Sequence, residues 1–500
     1  MKRSLLMGWL STTLALVALA ACGRSSENST QPATQTAANL SSPLIIYVAA
    51  GLKAPMEKIA ADYEKEIGQR VQVQFGGSNT LLANIAIAKT GDLFVPADDS
   101  FVEMAREKDL IAEVLPIATM QAVVAVPKGN PKNIASWADL TRQDMRLSLA
   151  NPGAAAISAV TKKALGEKWT TLWDRKLVEK PTVTEIATDV AVGAVDAGIV
   201  WDITVQQFNN KLDAVQLEDL KDARGQVKAT ILKSSKQATN ALRFARFVAA
   251  RDRGLLHFEQ AGFKVAEGDK WARTPELKFL AGAMLRPAVD ATITQFEQRE
   301  GVRISRVYNG CGILVAQMKA GDKPDAYFAC EPRFMKEVAD MFLDATDIST
   351  NQLVIAVPKG NPKNIKTLND LGKPGIKLGV GHEQQCALGA ITKDTLIEGK
   401  VYNKVRANVV VESPTGDLLV NQLVTGSLDA AIVYVSNTAY LQDKLEAYAV
   451  GIPCAVVAQP IAVRKGSDHK QLMARLLTRI KQEESRETFE ALGFGWQVKK

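Results

Sequence analysis

The side chains able to carry chemistry are few and unevenly placed. There are three histidines, His257, His382 and His469, and five cysteines, Cys22, Cys311, Cys330, Cys386 and Cys454. A hydrolase or metalloenzyme needs a nucleophile, a base or a ligand set at a fixed spacing. No histidine stands in a nucleophile, metalloprotease or nucleotide-binding motif, and there is no CxxC or HxxxH pair. His382 precedes Cys386 by four residues, which leaves open a soft-metal or thiophilic-oxyanion site using Cys311, Cys386 and His382. The four later cysteines can equally be small buried side chains, or pair as disulfides in an oxidising compartment. Asp92 and Asp325 each lie between a loop and a short apolar run, a structural position rather than that of a general base. The chain is not expected to act as an enzyme or to need a cofactor.

The composition agrees with a large folded chain. Of 500 residues, 47% are hydrophobic and 23% charged, which excludes wholesale disorder, collagen-like repeats and a disulfide miniprotein. The formal charge of +7 is small and unclustered, so no nucleic-acid partner is expected. Lys2 and Arg3 precede the apolar run from Leu5 to Ala21, which has the length of a signal-sequence core and is short for a membrane span. The run ends in Leu19-Ala20-Ala21-Cys22, which resembles the lipobox of bacterial lipoproteins. That resemblance implies cleavage after residue 21 and a lipid anchor on Cys22; a plain signal peptide is the alternative. Residues 22–43 contain no aromatic residue and one branched apolar one, Leu40, as befits a flexible tether. The expected location is periplasmic, with attachment to the membrane through the lipid.

The remainder is one unit written twice. AVPKGNPKNI occurs at Ala125–Ile134 and again at Ala356–Ile365, an offset of 231. LIIYVAAGLKAP from Leu44 lies over LKFLAGAMLRPA from Leu277, and GAVDAGIVW from Gly193 lies over GSLDAAIVY from Gly426, both at 233. FEQAGF from Phe258 matches FEALGF from Phe489 at 231. A drift of two residues across the unit is what short loop insertions produce, and a period this long means that each copy folds as its own domain. The units are placed at 44–270 and 276–500, with a short connection between them.

Within each copy, strand and helix patterns alternate. In the first, Leu44–Ala49 is a short apolar run followed by Leu52, Met56, Ile59, Tyr63 and Ile67 at helical spacing. Val71–Phe75 is β-rich, Gly76-Gly77-Ser78-Asn79 is a turn opening a further helix, and Leu93–Val95, Ala122–Val126, Leu147–Leu149 and Ala197–Trp201 read as strands. The fold class is therefore α/β, with sheets covered on both faces. In such sheets ligands sit where strand ends meet helix N-termini.

The order of these pieces is similar to a known family. A strand ending in Ala49-Ala50-Gly51-Leu52, a Gly/Ser turn after strand two, an Asp-hydrophobic-Phe strand, a VPKGNP strand end and a DAGIVW or DAAIVY strand together resemble the periplasmic molybdate/tungstate-binding proteins of ABC importers. These belong to the type II periplasmic binding superfamily. The resemblance covers residues 44–500, twice. It implies two α/β lobes per unit closing on the ligand about crossover strands, capture of a molybdate- or tungstate-type oxyanion, and an importer permease as partner. Same-fold receptors for phosphate, sulfate or a thiophilic metal are the alternative.

The same resemblance places the ligand donors. In the first unit they are Gly51, Ser78, Ala155, Ala156, Val183 and Trp201; in the second, Met284, Cys311, Cys386, Ala387, Gly416 and Tyr434. The family's hydroxyl after strand one is missing from both copies, and its tyrosine is kept as Tyr434 but is Trp201 in the first copy. Cys311 stands for Ser78, Cys330 for Ala97 and Cys386 for Ala155. Were Cys311 and Cys386 to face each other, a bridge between them would pin the second unit closed.

Overall fold

The computed structural model describes residues 42–498. The signal segment, Cys22 and most of the proposed tether lie outside the described residues. Among those described, no helix is long and apolar enough to cross a membrane.

The first unit contains β1 (Leu44–Ala49), β2 (Val71–Gly76), β3 (Leu93–Val95), β4 (Ile111–Pro127), β5 (Leu147–Ala150), β6 (Lys176–Lys180), β7 (Ala197–Trp201), β8 (Leu212–Val215), β9 (Arg224–Leu232) and β10 (Lys264–Val265). They lie in the order β2-β1-β3-β9-β4-β7-β5-β6, with β8 and β10 paired to β4. Two lobes result. In the first, β1 runs parallel to β2 and β3; in the second, β5 runs parallel to β6 and β7. β4 joins them, pairing with β9 through Gln121 and with β7 from Ala122.

The second unit repeats this with β11 (Glu276–Gly282), β12 (Arg303–Asn309), β13 (Ala326–Phe328), β14 (Thr346–Pro358), β15 (Leu378–Gly381), β16 (Val409–Ser413), β17 (Ala430–Tyr434), β18 (Leu445–Ala449), β19 (Val456–Val463) and β20 (Gly495–Trp496). Their order, β12-β11-β13-β19-β14-β17-β15-β16, is the same path. Each unit has its own hydrophobic core, as the period of the repeat requires.

Several elements fall where the residue pattern puts them, including β1, β3 and β7. The apolar run Ala122–Val126 is only the end of a strand that begins at Ile111. Its first half carries Glu113 and Pro116, with register shifts at both, so it lacks the uninterrupted apolar run of a buried strand. In the second unit the joining strands carry buried polar groups that satisfy one another. Ser349 Oγ donates to Gln459 Oε1 at 2.8 Å, and Asn351 Nδ2 donates to Ser436 Oγ at 2.7 Å.

Asp92 and Asp325 hold loops in place. Asp92 accepts from Ile45 N (2.9 Å) and Ser235 Oγ (2.6 Å); Asp325 accepts from Lys278 N (2.8 Å) and Ser467 Oγ (2.6 Å). The VPKGNP segments form turns bracketed by one side chain. Asn130 both donates to Ile134 O and accepts from its N–H, and Asn361 does the same with Ile365.

The connection between units is ordered by Asp269, whose carboxylate accepts from Gln471 N and Leu472 N at 2.9 Å each, at the start of the helix Lys470–Ile480. Behind it Glu300, 1% exposed, is held by Arg246 (2.9 Å) and Arg475 (2.7 Å).

Candidate functional site

Each unit has a small cleft between its lobes, of about 270 Å³ in the first and about 250 Å³ in the second, mouth included. All six residues proposed for the first unit line its cleft: Gly51, Ser78, Ala155, Ala156, Val183 and Trp201. All six proposed for the second line the other: Met284, Cys311, Cys386, Ala387, Gly416 and Tyr434. Neither lining contains a lysine, an arginine or a carboxylate.

The local sequence explains what the first cleft offers. Three helices begin on it: Ser78–Ala88, Ala156–Leu165 and Val183–Ala191. The first N–H groups of a helix have no partner within it and carry the positive end of its dipole. The residues before two of them, Gly77 and Ala155, supply no side-chain cap, although at the first the N–H of Asn79 is taken by Ala154 O across the cleft. At the third, Thr182 and Glu185 form a capping box that satisfies the N–H of Glu185, and the N–H groups of Val183 and Thr184 lie ahead of it. Ser78 is not the cap but the first helical residue. Its buried Oγ accepts from Ala97 N at 3.2 Å, which leaves the hydroxyl proton free to donate.

The lobes touch at the cleft. Asn79 N donates to Ala154 O at 3.0 Å, and Ile313 N to Gln385 O at 3.2 Å in the second unit. Glycine is needed for this approach: a Cβ on Gly77 would lie 2.5 Å from Ala154 O, and one on Gly312 would lie 1.9 Å from Gln384 O. Trp201, 1% exposed, forms the wall of the first cleft. It fits because Gly225 faces it, where a Cβ would come within 2.8 Å of the ring.

The second cleft has the same frame with different chemistry. Helices begin at Cys311, Ala387 and Gly416, again without side-chain caps. Cys311 Sγ takes over the role of Ser78, accepting from Cys330 N at 3.2 Å. Burial would raise the Cys311 thiol, but hydrogen bonds from the Cys330 thiol and N–H outweigh it and hold Cys311 below the ordinary thiol value. Cys330 is raised well above that value by the same hydrogen bond and by burial. Burial pushes Cys386 up to about 11. The Tyr434 hydroxyl, on a side chain 2% exposed, has no hydrogen-bond partner.

Two expectations need correction. His382 does not join the cysteines at the cleft: it is absent from the lining, and its Nδ1 accepts from Gln384 N at 3.3 Å. Among the described residues no group of three or more His, Cys, Asp or Glu could hold a metal ion. Nor is Cys311 bridged to Cys386, because all four cysteines of this unit are free. Cys386 instead donates to His382 O and Ser413 O, both at 3.5 Å. The residue absent from the expected site is Cys330, which lines the cleft beside Cys311. Its alignment with Ala97, just past the third strand of the unit, was the available signal.

Comparison with known proteins follows the same division. The chain matches the family described as bacterial extracellular solute-binding protein over residues 44–264 and again over 277–495. A putative binding protein of Haemophilus influenzae is 29% identical over 228 residues, covering 45% of this chain and 91% of the relative. The molybdate-binding protein ModA of Mycobacterium bovis is 28% identical over 266 residues, covering 51% of this chain and 99% of the relative. A sulfate-binding protein of Synechococcus elongatus is 28% identical over 167 residues, covering 30% of this chain and 46% of the relative. Among solved structures, the periplasmic molybdate-binding protein of Azotobacter vinelandii superposes with a TM-score of 0.39 at 19% identity, covering 45% of this chain and all of that one. With two matches spanning nearly all of the described residues, the chain belongs to the bacterial extracellular solute-binding protein family, as a tandem duplication of its type II periplasmic binding unit.

Proposed function

We propose that this protein is a lipid-anchored periplasmic receptor that captures a molybdate- or tungstate-type oxyanion and delivers it to the permease of an ABC importer. The observation that carries the reading is the convergence of three helix N-termini and the Ser78 hydroxyl on a cleft that lacks any charged side chain. A tetrahedral dianion needs donors from several directions, and N–H groups with aligned dipoles supply them without a cation. The lack of a carboxylate in the lining also argues against phosphate, which keeps a proton near neutral pH and needs an acceptor for it. Molybdate, tungstate and sulfate carry no such proton, and the similarity to a sulfate-binding relative keeps sulfate as the second reading. Cys22 would carry the anchor, residues 22–43 the tether, and units 44–270 and 276–500 one cleft each. The binding reading requires no catalysis.

Calorimetric titration of the purified chain with molybdate, tungstate, sulfate and phosphate tests this. Binding of molybdate and tungstate, abolished by blocking the first cleft, is the expected result. Binding of phosphate alone, or of none of the four, rules the reading out.

A further inference from the structure

The two clefts share a frame and differ in sulfur. The first lining contains no sulfur, and the second contains four: Met284, Cys311, Cys330 and Cys386. The change at Cys330 is compensated. By the repeat, Gly282 stands where the first unit has Ala49, and a Cβ on Gly282 would lie 1.8 Å from Cys330 Sγ and 3.1 Å from Cys311 Sγ. The Cys330 thiol thus occupies the volume of the Ala49 methyl, and both sulfurs converge beside one point on the cleft floor. Replacing Ala97 by cysteine without removing the opposing methyl would overpack the site. The two exchanges work as a pair, and the pair brings two thiols together.

The other groups restrict what those thiols can take. Three helix N-termini face the cleft, which favours oxygen ligands and disfavours a bare cation. No three-membered ligand set for a metal ion is present among the described residues. The Tyr434 hydroxyl is buried at the same cleft without a partner, and an unpaired buried hydroxyl costs free energy unless a ligand pairs with it. A suitable ligand therefore presents a soft electrophilic centre to two sulfurs and an oxygen to the N–H groups and Tyr434.

The geometry points to the second cleft as a site for a trivalent metalloid oxyacid, of which arsenite is the representative, bonded through Cys311 and Cys330. It rests on the reading of the clefts as ligand sites. Two arsenic–oxygen bonds break and two arsenic–sulfur bonds form. The two thiol protons leave with the two displaced hydroxides as water, no electron is transferred, and the third hydroxyl stays on arsenic, facing Tyr434 and the helix N-termini. Cys311 makes the first attack, since its sulfur already accepts hydrogen bonds from Cys330 and sits at the start of the helix Cys311–Lys319. Cys386 is occupied by its bonds to two carbonyls, and Cys454 lies elsewhere, beside Thr395.

The test uses the reduced full chain, titrated with arsenite by calorimetry and examined by X-ray absorption at the arsenic edge. One arsenic per chain with two sulfur neighbours and one oxygen is expected. Affinity should fall about tenfold or more in Cys311→Ser and in Cys330→Ala. Each restores the residue of the first unit, and thermal melts will report that both variants fold. Cys454→Ser, away from the cleft beside Thr395, should bind as the parent does. Binding that survives Cys311→Ser, coordination by three sulfurs, or uptake of silver(I) without arsenite overturns the proposal. If arsenite fails while molybdate still titrates the first cleft, this inference alone falls; if both fail, the reading of the clefts falls with it.

Discussion

Replacing Gly77 with alanine should weaken capture by the first unit while leaving the free protein stable. Gly77 has φ −67° and ψ 140°, which alanine adopts without strain, so the backbone conformation does not demand glycine. The cross-lobe approach does: the new Cβ would lie 2.5 Å from Ala154 O and 3.1 Å from Pro181 O, and both oxygens belong to the opposite lobe. Opening the lobes relieves the clash. It also separates Asn79 N from Ala154 O, now 3.0 Å apart, and Asn79 Nδ2 from Gly153 O. Two hydrogen bonds at roughly 0.5–1.5 kcal/mol each leave the closed form about 1–3 kcal/mol worse off, or roughly fivefold to hundredfold in Kd. Calorimetry with molybdate measures the affinity, and a thermal melt of the ligand-free chain measures the stability. An unchanged Kd refutes the argument, as does a loss of ligand-free stability as large as that of a core truncation.

Other consequences can be checked alongside. Tyr434→Phe removes a buried hydroxyl without a partner, so urea unfolding should show equal or slightly higher stability while ligand affinity of the second unit falls. Ser78→Ala leaves the Ala97 N–H without its acceptor and removes a proposed ligand donor, and should cost about 1–3 kcal/mol in molybdate binding by calorimetry. Glu300→Gln strips the charge from between Arg246 and Arg475 and should cost roughly 3–5 kcal/mol by urea unfolding at neutral pH. Burial alone would raise the Glu300 carboxyl, but the two guanidiniums hold it below its ordinary value. Its contribution is therefore complete above the ordinary carboxylate range and is lost as pH falls through the depressed folded value. The gap in stability between parent and Glu300→Gln should shrink on acidification, and a gap that widens would contradict the assignment.

Much of this was legible in the residues because the chain states its unit twice. The runs at Leu44, Ala125 and Gly193 and their partners showed which loops correspond, and every position carried over from the resemblance lines a cleft. The first halves of the joining strands were not legible. The first half of β4 carries Glu113 and Pro116, and β14 carries Ser349 and Asn351, so the parts of these strands that pass between lobes lack the apolar run of a sheet interior. His382 looked like a ligand because spacing along the chain put it near Cys386, but its ring is turned to Gln384 N. Cys330 looked like a packing substitution for Ala97. Only the space left by Gly282, which depends on the approach of β11 to the loop after β13, reveals it as a partner of Cys311.

The central claim is that the clefts are oxyanion sites built from helix N-termini, and a crystal structure with tungstate bound tests it most directly. Tungsten's anomalous signal would locate the anion without reference to the protein. A peak is expected in the first cleft, within hydrogen-bond distance of Ser78 Oγ and of the N–H groups that open the helices Ala156–Leu165 and Val183–Ala191. A peak only at surface lysines or arginines, with both clefts empty, would contradict it.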